Sequence, residues 1–125
     1  MTLSPKIHSV LDYLVSIFLI VAPWLMNFAE GGTETWVFVA SGVTSIFYSL
    51  LTKYEFSLVD LISFSMHLKL DVISGVILAT SPWVFGFHEV VYLPHLLLGL
   101  LELTVVAVTR KKITNTQLHN YNAKL

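Results

Sequence analysis

The stretch His8-Ser9-Val10-Leu11-Asp12, continuing through apolar residues to Ala22-Pro23-Trp24-Leu25-Met26-Asn27-Phe28, decides the reading of this chain because it occurs twice. The second copy runs from His67-Leu68-Lys69-Leu70-Asp71 to Ser81-Pro82-Trp83-Val84-Phe85-Gly86-Phe87. A shift of 59 positions lays His on His, Asp on Asp, Pro-Trp on Pro-Trp, Phe28 on Phe87 and Glu30 on Glu89. A repeat at fixed period is one structural unit used twice. Between and after the two copies lie two further apolar runs, Trp36 to Leu51 and about His95 to Thr109. They match at an offset of 57, with Gly42 on Gly99, Thr52 on Thr109 and Lys53 on Arg110. The repeated unit is therefore a hairpin of two helices.

The composition points to lipid as the solvent. Of 125 residues, 55% are hydrophobic and only 12% charged, with a mean hydropathy of +0.76. Soluble domains run at about 45–50% apolar and about 25% charged. The long apolar runs approach the roughly 20 residues that cross a bilayer as a helix. Recurrence of the first run deep in the chain argues for a retained helix rather than a cleaved signal peptide. Cysteine is absent, which excludes disulfides, thiol nucleophiles and thiolate-ligated clusters. No phosphate loop, nucleophile–base pair or nucleic-acid pattern is present.

These features predict an all-α polytopic membrane four-helix bundle of two tandem hairpins, related as a parallel repeat by a pseudo-two-fold axis along the membrane normal. The chain forms a single membrane domain, 1–125. Repeat 1 covers about 4–55, a connecting segment about 56–66, repeat 2 about 67–112 and a polar, mobile cytoplasmic tail 113–125. Ser4-Pro5 reads as a helix cap with proline in the first turn. Ser57 with Asp60 resembles a capping box, which favours a short amphipathic interfacial helix in the connection; an extended re-entrant piece is the alternative, and periodicity over so few residues does not decide between them. Ala29 to Glu34, with two glycines, reads as a turn. Trp36 and Tyr48 suit the aromatic belts of the two interfaces.

All seven Lys and Arg residues fall at the N-terminus (Lys6), the central connection (Lys53, Lys69) and the C-terminus (Arg110, Lys111, Lys112, Lys124). The other two loops carry Glu30, Glu34, Glu89 and His88. The positive-inside rule then places a multi-pass protein in the cell (inner) membrane with both termini cytoplasmic.

At Ala22-Pro23-Trp24 and Ser81-Pro82-Trp83 the chain resembles the SPW repeat family, small bacterial integral membrane proteins named for a Ser-Pro-Trp motif in the first helix of each hairpin. The resemblance covers nearly all of residues 4–112. It extends to the His and Asp that open each copy, to Ser49 through Glu55 and to Pro94-His95. It departs at Ala22, where the motif has serine. It implies the fold and the membrane location and brings no activity with it.

Two constellations are candidates for function. Pro23-Trp24 and Pro82-Trp83, with Ser81, form a structural motif: each proline frees a backbone carbonyl and kinks its helix, Ser81 or Thr80 is placed to re-satisfy that carbonyl, and the indoles reach the outer interface or line a vestibule there. The second is a polar cluster in the inner half. His8 with Asp12, and His67 with Asp71, are spaced to share a helix face. If the pseudo-two-fold axis runs between the first and third helices, the pairs confront one another. They are then ordinary polar contacts, or candidate ligands of a divalent metal, or a proton relay. Nothing in the sequence requires a cofactor. Glu102 is alone in an apolar run, where an unpartnered charge costs about 2.5–3.5 kcal/mol or more. It must face the bundle, be protonated, or find a partner, with His8, His67, Lys69, Ser45 and Tyr48 as candidates. Gly42, Gly75 and Gly99 read as close helix contacts, and His88 and His95 as interface residues. Two functions compete on these grounds. One is a non-enzymatic structural or interaction component, partnered by the lipid bilayer and by copies of itself or another membrane protein. The alternative is a transporter, sensor or redox protein that uses the inner cluster.

Overall fold

The computed structural model describes residues 2–54, 56–109 and 122–124. Among these the chain is all-helical, with no strand beyond two isolated bridges. The helices are α1 (Pro5–Leu25), α2 (Thr33–Leu50), α3 (Phe64–Val84) and α4 (Leu93–Ala107), with one further turn of helix at 122–124. Arg110 to Lys112 and most of the expected tail lie outside the described residues.

The repeated helices begin three residues before the repeated histidines' apolar runs because each has a serine cap. Ser4 Oγ accepts from the Ile7 N–H at 3.2 Å, and Ser63 Oγ accepts from the Met66 N–H at 3.1 Å. Each cap satisfies one of the orphan donors of a first turn. Both helices are followed, two positions beyond their last residue, by a residue at positive φ, Asn27 (φ 58°) and Gly86 (φ 76°). Asparagine and glycine are the residues that tolerate this left-handed turn.

The connection between the hairpins differs from expectation. Ser57 Oγ does donate to Asp60 Oδ1 at 2.8 Å, but no interfacial helix follows. The chain instead folds back on the end of α2. Leu58 and Val59 N–H groups donate to the Leu50 carbonyl, Leu61 and Ile62 N–H groups to the Leu51 carbonyl, and Lys53 N–H to Ile62 O at 2.8 Å. Backbone pairing with α2's unsatisfied carbonyls outcompetes one turn of isolated helix, which has a costly nucleus.

Packing is strongest within each hairpin, α1 on α2 and α3 on α4, and α2 also meets α3. Glycines set the spacing. A Cβ on Gly42 would stand 2.5 Å from the Ser16 carbonyl oxygen, and one on Gly99 2.5 Å from the Ala79 nitrogen. Small residues thus let the backbones touch at equivalent places in both hairpins. Pro23 and Pro82 are fully buried. The Leu78 carbonyl that Pro82 frees is taken up by Ser81 Oγ at 2.7 Å. Ala22 has no hydroxyl to do this in the first copy. Trp24 and Trp83 lie at the molecule's surface, about half exposed, at the end that carries the hairpin turns.

The interior is layered. At the turn end, Phe28, Phe38, Phe87 and His95 pack ring on ring, with centroids 4.4–5.3 Å apart. The repeat offsets pair Phe28 with Phe87 and Phe38 with His95, so this layer obeys the pseudo-symmetry with one substitution. His95 is no interface residue: it is fully buried, and its Nε2 bonds the Glu34 carbonyl at 2.8 Å. The opposite layer is polar.

Candidate metal centre

At the end away from the turns, α1 and α3 bring His8, Asp12, His67 and Asp71 together. Both imidazoles are fully buried, and their centroids are 5.5 Å apart. His8 Nε2 is 2.8 Å from Asp71 Oδ2 and 3.2 Å from Asp12 Oδ1. His67 Nε2 is 2.7 Å from Asp12 Oδ2 and 3.2 Å from Asp71 Oδ2. The short contacts cross between hairpins and the longer ones run along each helix. Nitrogen and oxygen alternate round a closed ring in which one ligand atom from each of the four residues lies within 4.8 Å of the others.

The other ring nitrogens fix the tautomer. Thr52 Oγ1 donates its single hydrogen to the Tyr48 carbonyl at 2.7 Å and meets His67 Nδ1 at 2.8 Å. Thr109 Oγ1 donates to the Val105 carbonyl and meets His8 Nδ1 at 2.8 Å. With its proton committed, each hydroxyl accepts, so each Nδ1 is a donor. In a neutral imidazole Nε2 then carries the lone pair, aimed at carboxylate oxygens 2.7–2.8 Å away. Two electron-rich atoms at that distance need a cation between them. It is either a proton, which makes imidazolium–carboxylate pairs, or a metal ion, for which imidazole and carboxylate are fitting donors.

The two halves of the centre are not equivalent. Tyr48 OH donates to Asp71 Oδ1 at 2.5 Å, while Val105 occupies the corresponding place in α4 and has nothing to donate to Asp12. Asp71 is accordingly the more buried carboxylate, with side chains 8% and 11% exposed for Asp71 and Asp12. Beside the ring is a half-enclosed cavity of about 20 Å³, lined by His8, Asp12 and Asp71 together with Ser45, Val105 and Glu102. That is room for a water molecule, which needs about 10–15 Å³. Glu102 thus lines the same cavity as His8, Asp12 and Asp71. Ser74 stands beside its carboxyl, and its Oε2 is buried without a hydrogen-bond partner among the described residues. Lys69, an expected partner of Glu102, is instead exposed.

Around the centre, Tyr54 and Phe64 pack against the His67 ring, and Phe64 meets the edge of His8. Burial pushes the Tyr54 hydroxyl up from its ordinary pKa, keeping it protonated. Sequence reasoning missed the roles of Thr52 and Thr109, although their match at the repeat offset was visible. It also assigned Tyr48 to Glu102 or the interface rather than to Asp71. Trp24, Trp83 and the prolines stand at the other end of the molecule and do not join the site.

Fold and centre together define a class: a small all-α protein of duplicated helical hairpins that meet at a buried histidine–aspartate ring. The chain belongs to the SPW repeat family, whose family model, the SPW repeat domain, matches residues 6–109. No curated protein and no solved structure matches it.

Proposed function

We propose that this chain is a four-span, non-enzymatic integral membrane protein with both termini in the cytoplasm, and that its inner His8/Asp12/His67/Asp71 centre binds one divalent metal ion. The observation that carries the cation reading is the ring itself, with two Nε2 atoms and two carboxylates converging while threonines hold both Nδ1 atoms as donors. An outer group that fixes the tautomer is what metal-ligating histidines regularly have.

Membrane insertion is supported by an inverted distribution of polarity. One helix, α1, is long and apolar enough to cross a bilayer by length and composition, and α4 is a shorter apolar helix. All four present large apolar side chains outward: Leu14 and Ile17 on α1, Val43 and Phe47 on α2, Ile73 and Ile77 on α3, Leu97 and Leu100 on α4. The buried set meanwhile includes Ser9, Ser16, Ser45, Ser49, Thr52, three histidines and Asp71. Such extensive apolar exposure over a polar interior suits hydrocarbon rather than water. The 21 residues of α1 and of α3 reach about 31 Å, the thickness of the hydrocarbon core. The 15 residues of α4 reach about 22 Å, so flanking residues or local thinning complete that span.

A second reading is favoured by the short contacts of 2.7–2.8 Å, which are also the length of charge-assisted hydrogen bonds. In it, protons clasp the hairpins and the protein is a structural or interaction component of the membrane. The test is metal content and absorbance of the protein purified in mild detergent and loaded with Co²⁺. Stoichiometric ion with d–d bands of a nitrogen–oxygen site, lost in Asp12→Ala and Asp71→Ala, supports the metal reading. No bound ion in well-folded protein rejects it in favour of the clasp. For topology, single cysteines at Gly31 and Glu89 are expected to be labelled from outside intact cells, and one at Lys53 to be protected. The reverse pattern overturns the orientation.

A further inference from the structure

We propose that the cavity beside the ring is the port by which a small hydrated cation reaches the centre, opening along the seam between α1 and α4, and that Glu102 is the carboxylate that receives the ion there. This rests on the metal reading above and adds its route.

The two halves of the molecule differ around the ring. If the repeat were perfect, the molecule would have two equivalent seams, α2 against α3 and α4 against α1. Helix α2 packs on α3, whereas α1 and α4 touch little. In the α2–α3 seam, Tyr48 stands beside the ring and caps Asp71. In the open seam its counterpart is Val105, a smaller side chain without a donor, and Val105 lines the cavity. The room a tyrosine takes in one half is left free in the other, next to the less committed carboxylate, Asp12.

The second asymmetry lies in the same place. Ser45 in α2 corresponds to Glu102 in α4, and both line the cavity. A carboxyl oxygen buried without a partner is costly to keep, and this one stands beside a ring that needs a cation. An ion passing the cavity supplies the missing partner: carboxylate replaces part of its water shell before it meets the two imidazoles. Glu102 is a positioning residue in this scheme and is not one of the four ring ligands.

The test uses the full-length protein in detergent, loaded with Co²⁺, and follows loss of the d–d bands by stopped flow after excess chelator. Val105→Tyr fills the port with the side chain that the other half carries, and Glu102→Gln keeps the shape and removes the charge. At Co²⁺ occupancy equal to wild type, both are expected to slow release by about tenfold or more, the scale on which groups outside the ligand set act on metal sites. Unchanged release in both variants overturns the proposal, whereas failure of wild type to take up Co²⁺ would show that the metal reading beneath it has failed. The port is also read without metal. The natural chain has no cysteine, so Val105→Cys is a unique thiol. A small cationic methanethiosulfonate is expected to modify it, while Phe38→Cys, in the fully buried opposite layer, stays unreactive. An inert Val105→Cys overturns the port whether or not the centre binds metal.

Discussion

At the scale of single residues, the threonines are as informative as the histidines they hold. Thr52 and Thr109 each commit one proton to a backbone carbonyl and so turn the adjoining imidazole in one direction. Thr52→Val or Thr109→Val removes the acceptor at nearly constant volume. Divalent-ion affinity in a detergent titration is expected to fall about 10–100-fold, with Thr→Ser close to wild type. The two aspartates should be unequal. Asp71 meets His8, His67 and Tyr48, whereas among the described residues Asp12 meets only the histidines. Asp71→Asn is expected to cost about 3–5 kcal/mol, the range for breaking a buried pair. Asp12→Asn, at the cavity side, is expected to cost less, as measured by thermal unfolding in detergent.

At the scale of elements, each hairpin is held by close backbone approach. A methyl group at Gly99 would stand 2.5 Å from the backbone nitrogen of Ala79 and 2.7 Å from its Cα, and backbone cannot step aside as a side chain can. A methyl at Gly75 would meet the Leu103 side chain and the Gly99 carbonyl at 3.0–3.1 Å, a milder conflict that Leu103 can partly relieve. Gly99→Ala is therefore expected to destabilise by about 1–3 kcal/mol, as overpacking does, and Gly75→Ala by less. The ranking is read from unfolding in a denaturing detergent series. Connections decide less by propensity than by available partners. The segment after α2 is paired to the Leu50 and Leu51 carbonyls and forms no helix of its own.

At the scale of the molecule, the hairpins close on each other in a cycle. Thr52 at the end of α2 bridges to Ile62 ahead of α3, and Thr109 at the end of α4 bridges to Leu3 ahead of α1. Each histidine then takes its threonine and its nearer aspartate from the other hairpin. Every short bond to the two histidines is thus an inter-hairpin bond, and anything that tightens the centre stabilises the whole. An ion that binds only the folded chain at 100 times its Kd adds about 2.7 kcal/mol. Zn²⁺ is expected to raise the unfolding temperature of wild type and to leave Asp71→Ala unmoved. Because the ion replaces the proton on each imidazolium, proton release into weak buffer should accompany binding. A stability gain without proton release would mean that Zn²⁺ binds elsewhere.

The sequence by itself determined the duplication, the helical hairpins and the identity of the polar cluster. Repeats, apolar runs and the four-residue spacing of His8–Asp12 and His67–Asp71 are local facts, and local facts survive in one dimension. The serine cap was equally legible at Ser4, whereas its counterpart at Ser63 came from the structure. Only the tertiary structure decided which atoms meet. His8 pairs with Asp71 across 63 positions and with Thr109 across 101, and no periodicity encodes contacts between separate helices. His95 shows the same limit: beside a turn it reads as a surface residue, yet packing against Phe28, Phe38 and Phe87 buries it. The asymmetry that opens one seam was written in the chain as Tyr48 against Val105 and Ser45 against Glu102. Its consequence appeared only when folding placed Ser45, Glu102 and Val105 around one small cavity, because a space is a property of what surrounds it.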